Sequence, residues 1–199
     1  MRKRLPRVST QKTSARERLL NAAANLFYNN GIAATGIDSI IKKAKVAKMS
    51  LYNNFSSKDD LVQTYINKRH SEWLDLYRNR LKKSNIPRER VLAVFDVYLD
   101  HAAFEYERGF RGCGILNAAA ELPAKSRGRE AVRKHKDEVE AILQMHLLEY
   151  PSMTQEKSES IAEHLSFLLE GAMARAGLEG SSEKIIHAKK LATHMLETL

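Results

Sequence analysis

With one cysteine, four prolines and nine glycines in 199 residues, the chain has little with which to staple or break itself. A single thiol excludes an intrachain disulfide and any multi-cysteine zinc or iron–sulfur centre. No run approaches the roughly 18 apolar residues of a membrane span. The basic start MRKRLPRVST leads into no apolar stretch of signal-peptide length, so a soluble cytoplasmic protein with no membrane partner is expected. The seven histidines are scattered without HExxH or tight ligand spacing, and no metal site is expected. No Ser/His/Asp order or nucleophile–base pair stands out, which leaves no catalytic residue and no cofactor to assign. Gly112-Cys113-Gly114 lacks the length and the Lys-Ser/Thr ending of a phosphate loop. Strand-like alternation is scarce too, and Leu, Ala, Glu, Lys and Arg dominate, which points to an all-α chain.

Positive charge is abundant and unevenly placed. The formal net charge is +9. Residues 1–60 hold 12 Lys and Arg against 4 Asp and Glu, whereas the remainder holds 21 against 20. An excess confined to the first third is the footprint of a phosphate-binding module on a neutral body.

Within that third, Ile37 to Lys58 reads as two short helices joined by a tight turn. Ile37, Ile40, Ile41 and Ala44 recur at helical spacing, and Leu51 and Phe55 form an i, i+4 pair that seats the second helix. Lys48, Ser50, Tyr52, Asn53 and Asn54 are left to project, the arrangement of a helix-turn-helix offering its recognition helix to a major groove. Ser14-x-x-Glu17 is a capping box opening an earlier helix that ends at Gly31, where a left-handed C′ glycine is expected. Thr35-x-x-Asp38 and Ser57-x-x-Asp60 predict two further caps. The expected plan is a flexible basic arm over 1–12, a helix-turn-helix domain over 13–57, and a helical body over 58–199, about nine helices in all. The last two helices are expected near 154–177 and 182–198, separated by Gly177 to Gly180.

Ala15 to Lys58, with R-x-x-x-L-x-x-A-x-x-L-F-x-x-x-G-x-x-x-T continuing to K-x-x-L-Y-x-x-F-x-S-K, resembles the N-terminal domain of TetR-type transcriptional regulators. The match covers about a quarter of the chain and fixes spacing across three helices. The resemblance implies a homodimer on a palindromic double-stranded operator, acting as a repressor released when a small-molecule inducer enters the C-terminal domain. Lys45 stands at a turn position where the family usually has glycine, and Ala47 where a capping Ser or Thr is usual. Met49 and Asn54 replace a small residue and a histidine.

Candidate DNA contacts are Thr35, Lys48, Ser50, Tyr52, Asn53, Asn54 and Lys58. Tyr52 and Lys58 are expected on phosphates; Ser50 and Asn53 are expected on base edges. Arg2, Lys3, Arg4 and Arg7 of the arm are candidates for further contacts. Candidate ligand-lining residues are Tyr77, Tyr98, Phe104, Cys113 and Asn117, in a mostly apolar cavity. The stretch Phe110 to Leu122 is similar to a short helix lying beneath the cavity in one subgroup of these regulators. There Asn117 and Glu121 either satisfy each other and local backbone groups, or Asn117 faces the cavity. Cys113, the lone cysteine, is either a small packing residue or an electrophile sensor. Ile161, Leu165, Leu168, Ala172, Ala176, Ile185, Leu191 and Met195 are expected in an intersubunit four-helix bundle, with Gly171 to Ala174 allowing close approach. A ligand-independent DNA-binding structural or nucleoid protein on the same fold remains the alternative, and a solid C-terminal core would favour it.

Overall fold

A computed structural model describes residues 13–104 and 106–199, and the basic arm expected over 1–12 lies outside them. Among the described residues there are nine helices and no strand. They are α1 (Ala15–Asn30), α2 (Ile37–Ala44), α3 (Lys48–Asn54), α4 (Lys58–Leu81), α5 (Pro87–Ala102), α6 (Gly114–Glu121), α7 (Arg127–Leu147), α8 (Gln155–Glu179) and α9 (Glu183–Glu197).

Helix starts follow the local chemistry. The Ser14 hydroxyl accepts from Glu17 N–H while the Glu17 carboxylate accepts from Ser14 N–H, closing the box on α1. Ser57 caps α4 through Asp60 N–H, and Pro87 opens α5 at a position whose N–H has no helical partner. Thr35 departs from expectation. Gly36 is the N-cap of α2, and the Thr35 hydroxyl turns inward to donate to Gly31 O at 2.6 Å. Gly31 itself has φ 88° and ψ 164°, a region open to glycine alone rather than the left-handed helical cap.

Two apolar cores share α4. The first half of that helix, through Leu61, Val62, Tyr65 and Ile66, packs with Leu19, Phe27, Ile40, Leu51 and Phe55. Ile115 and Ala118 of α6 and Val132 of α7 complete this small core. Trp73 and Tyr77, further along α4, belong to the larger core with α5, α7, α8 and α9. Helix α5 is buried on several faces, by Val91, Val94, Phe95, Val97 and Tyr98, as befits the centre of the body. Cys113 packs against both cores. The helix-turn-helix is therefore not a freestanding unit: α6 and α7 finish its interior.

Gly177 is not a helix breaker as expected. Helix α8 runs through it to a left-handed cap at Gly180, φ 66°. A Cβ on Gly177 would lie 2.7 Å from Gly112 Cα, and one on Gly112 (φ 77°) would lie 3.1 Å from Met173 O. The loop before α6 thus crosses α8 backbone against backbone, which explains why both positions are glycine.

Candidate functional site

The turn between α2 and α3 is held by a strained residue and one arginine, and a second arginine holds the far end of α3. Lys45 adopts φ 53° and ψ 51°, the left-handed conformation anticipated for a glycine position. Val46 N–H reaches back to Ile41 O, and Arg18 from α1 donates to Lys45 O at 3.2 Å. Arg16, also on α1, donates to Asn54 O at 2.9 Å and lies over the Phe55 ring at 4.4 Å. The turn that leads into the recognition helix and the last carbonyl of that helix are thus pinned from behind. Sequence reading missed these arginines, because a basic residue on an amphipathic helix looks the same whether it braces a neighbour or meets solvent.

Helix α3 buries Leu51 and presents Lys48, Tyr52 and Asn53 outward, with Tyr52 49% exposed. Met49, 68% exposed beside them, joins this surface although sequence reading did not select it. No side chain caps α3 at Ala47, a loss of about 1 kcal/mol against a Ser or Thr cap. Ser50 is half-buried, and its carbonyl accepts from the Asn54 amide at 2.7 Å, so Asn54 is partly committed to its own helix. Lys48 lies 3.6 Å from Asp38 with both side chains largely exposed, an ion pair worth little in water and easily surrendered.

Two expected contacts lie differently. Thr35 is only 1% exposed and its hydroxyl is spent on Gly31 O and Leu26 O, so its side chain cannot reach a duplex. The Lys58 ammonium donates to Ile32 O at 2.6 Å and is half-buried. Its charge therefore sits at the α1–α2 turn.

Behind the helix-turn-helix lies a cavity of about 660 Å³. Its wall is Asn21, Ala24, Asn25, Tyr28 and Asn29 of α1, Tyr65, Arg69, Glu72, Trp73 and Leu76 of α4, His101 of α5, His135 of α7, and Phe104, Tyr106, Glu107, Gly112 and Cys113 between α5 and α6. Phe104 and Cys113 line it as expected. Tyr77, Tyr98 and Asn117 do not. The Tyr77 hydroxyl pairs with His146, which in turn pairs with Glu149. Tyr98 is buried beside the Lys136 ammonium, which also lies 3.8 Å from Cys113 Sγ and pairs with Glu170. Burial works against that ammonium, but the thiol, the Tyr98 hydroxyl and Glu170 outweigh it and hold Lys136 above the usual lysine range. Asn117 donates to Arg111 O at 2.9 Å, capping the loop before its own helix. Burial keeps the two wall histidines neutral, with His101 pushed down to about 4 and His135 to about 3. Among the described residues no group of His, Cys, Asp and Glu is placed to hold a metal ion.

Cavity and helix-turn-helix are joined by polar contacts around the end of α1. Arg111 donates to Tyr28 O at 2.7 Å and Asn29 O at 2.9 Å, meeting carbonyls that the helix leaves unpaired. The Tyr28 hydroxyl donates to Gly112 O and accepts from Arg111 N–H. The Glu121 carboxylate, at the far end of α6, accepts from Ile32 N–H at 3.1 Å and Ala33 N–H at 2.8 Å. It does not bond Asn117, so the two do not satisfy each other; Asn117 bonds local backbone as the first of the two readings had it, and it does not face the cavity as the second had it.

A helix-turn-helix seated on a helical body, with a cavity against its first helix, defines a class of DNA-binding regulator. Comparison with known proteins narrows it. Residues 19–65 match the family described as bacterial regulatory proteins, tetR family. The TetR-family transcriptional regulator SCO4454 of Streptomyces coelicolor is 30% identical, superposes with a TM-score of 0.80, and is covered over 94% of its length by 90% of this chain. The chain belongs to the TetR family. The reduced form of Escherichia coli NemR shares the fold, with a TM-score of 0.73, 24% identity, and coverage of 90% of this chain and 95% of that one. Two Mycolicibacterium smegmatis proteins are also similar: the transcriptional repressor KstR2, 31% identical over 91 residues, and the transcriptional activator FasR, 31% identical over 108 residues. Those matches cover 45% and 54% of this chain and 44% and 47% of the relatives, so the chain spans about half the length of the curated relatives it matches. These relatives are regulators rather than enzymes.

Proposed function

We propose that this chain is a homodimeric transcriptional repressor that holds a palindromic operator through α3 and releases it when a small molecule fills the cavity. The observation that carries the reading is the shared wall. Asn21, Ala24, Asn25, Tyr28 and Asn29 of α1 line the cavity, and the carbonyls and amides at the end of the same helix are gripped by Arg111 and Glu121. A ligand that changes the spacing of that wall therefore acts on the element bracing the turn into α3 and the end of α3. A cavity of this size also argues against a ligand-independent nucleoid protein with a solid core.

The dimer draws support from an uncovered face. On α8, Phe167 is 64% exposed and Leu178 84% exposed, while a Cβ on Gly171 between them would meet nothing within 4 Å. On α9, Ile186 and Leu191 are exposed alongside. Of the residues expected at the interface, Leu165, Ala176 and Ile185 are instead fully buried in the body core. Helices from two subunits packed on this face would form the four-helix bundle expected.

The test has two arms. An operator selected from a random DNA library should be palindromic and bind at nanomolar concentration, and a lipophilic compound panel should yield at least one molecule that releases it. Light scattering at micromolar concentration should give a dimer for the parent and a monomer for Phe167→Glu. Selection without enrichment, or a parent monomer, refutes the reading.

A further inference from the structure

The helix-turn-helix leaves one purely apolar side chain uncovered. Over residues 13–60 the large apolar side chains are buried or half-buried except for Met49, 68% exposed, and Tyr52, 49% exposed. Both lie on α3, three residues apart and so neighbours on its surface. Tyr52 has a hydroxyl to offer a phosphate. Met49 has only a thioether, a weak acceptor with no donor. A single exposed methionine is ordinary on a protein surface. This one is the second residue of α3, and the N-terminal residues of a recognition helix are those that meet base edges.

The other side chains of α3 leave little for reading bases. Leu51 is buried and Ser50 half-buried. The Asn54 amide donates to Ser50 O at 2.7 Å and is held against its own helix. Lys48 begins the helix, 3.6 Å from Asp38, and a flexible ammonium acts on phosphate as a point charge. Asn53 remains as a polar reader and Met49 as an apolar one. They are four residues apart, one helical turn, and both are exposed.

The chemistry of the groove decides what such a side chain can recognise. Adenine presents N7 and its amino group there, guanine N7 and O6, and cytosine its amino group, whereas thymine adds a C5-methyl to its O4. A thioether laid on a polar edge strips water from donors or acceptors and returns no hydrogen bond. Laid on the thymine methyl, it removes two apolar groups from water, and its flexible chain and polarizable sulfur adapt to the contact. The preference therefore has two sources, a gain on one base and a penalty on the other three.

From these observations we infer that Met49 is a specificity-determining residue, packing on the C5-methyl of a thymine in each operator half-site. This inference rests on α3 being the reading helix of the proposed repressor. It places one thymine in each half-site that is read by its methyl rather than by its hydrogen-bonding edge.

The test uses the full chain and the operator selected from random DNA. Each thymine of a half-site is replaced in turn by deoxyuridine, which removes the methyl and keeps O4 and the base pair. At one position the parent should lose about fourfold in affinity with one half-site altered and about 15-fold with both, one buried methyl each. Met49→Ala should bring the thymine-to-deoxyuridine ratio at that position to about one. Met49→Leu, apolar and of similar volume, should keep it. Circular dichroism establishes that both variants fold. A Met49 that only supported the helix would, when removed, weaken binding to both operators alike and leave the ratio as in the parent. That result overturns the inference, as do half-sites without thymine, or deoxyuridine that costs the parent less than about twofold at every position. In each of those cases the operator is still bound and the repressor reading stands. Selection without enrichment refutes that reading and this inference with it.

Discussion

Removing the Glu121 carboxylate should loosen the helix-turn-helix from a distance. Glu121 lies at the end of α6, yet its two oxygens accept from Ile32 and Ala33 N–H in the α1–α2 turn. Glu121→Ala frees both donors. A hydrogen bond to a charged group contributes about 1.5 to 3 kcal/mol when enclosed. Glu121 is exposed, so water compensates for much of the loss, and a combined cost of about 1 to 2 kcal/mol is expected. For a chain of this length that corresponds to a fall in Tm of about 2 to 8 °C. Glu121→Gln should lose about half as much, since the amide keeps one accepting oxygen and puts a donor where the other stood. The decisive readout is local: amide exchange at Ile32 and Ala33 should accelerate in Glu121→Ala more than at buried positions of α5. Unchanged exchange at both amides, with Tm within about 1 °C of the parent, would refute the idea that α6 secures the turn.

Three other outcomes are expected. Lys48→Ala should weaken binding to the selected operator and lower the slope of log affinity against log salt by about one, whereas Lys58→Ala, whose ammonium sits on Ile32 O, should chiefly lower Tm; operator titrations at several salt concentrations separate them. His135 is held down to about 3 in the fold by burial against about 6.5 when unfolded. The unfolded chain therefore takes up the proton first, and this residue's share of stability, complete above about pH 6.5, is lost as pH falls toward about 3. Between about pH 7 and 5 that share is about 2 kcal/mol, and denaturant melts of His135→Asn should show a smaller pH dependence than the parent. Gly177→Ala drives a methyl into Gly112 Cα and should cost about 2 kcal/mol or more by the same melts, while Gly171→Ala, in the interior of α8 with a Cβ that meets nothing, should stabilise the isolated subunit by about 0.5 to 1 kcal/mol.

How far the sequence could be read depended on whether a feature is local. The Ser14 and Ser57 caps, the order of the helices and the left-handed Lys45 all follow from a few neighbouring residues, and each appears where spacing places it. On α3 the outward Lys48, Tyr52 and Asn53 were legible for the same reason, since Leu51 and Phe55 fix the face that must be buried, whereas Ser50 and Asn54 lie half-buried at its border. Thr35 was misread because a hydroxyl three residues before an aspartate looks like a cap that accepts a backbone N–H; only the fold reveals that it turns inward and donates to Gly31 O. Gly177 looked like punctuation because nothing in its neighbourhood announces a distant loop, that of Gly112, pressing on it. The cavity was the least legible part. Tyr65, Trp73 and Tyr77 share the apolar side of α4 and Tyr98 lies on the apolar α5, and which of them meets empty space depends on where α1 and the loop before α6 come to rest. At the outer face of α8, Leu165 and Phe167 are both apolar, and their separation into core and surface is set by the rotation of the whole helix.

The crossing of Gly112 and Gly177 bears on mechanical stiffness. Most helix contacts are cushioned by side chains, which absorb a displacement of a few tenths of an ångström by turning to another rotamer. Where two glycine backbones touch there is nothing to turn, and a shift of one chain is passed undiminished to the other. The loop on one side of this crossing carries Arg111, which grips α1; the helix on the other carries Phe167 and Leu178, its outermost apolar side chains. Were two subunits to meet on the outer face of α8, a rigid joint of this kind would pass a displacement there on to the loop that holds α1, so that each would read the other's state as a length rather than as a chemical signal.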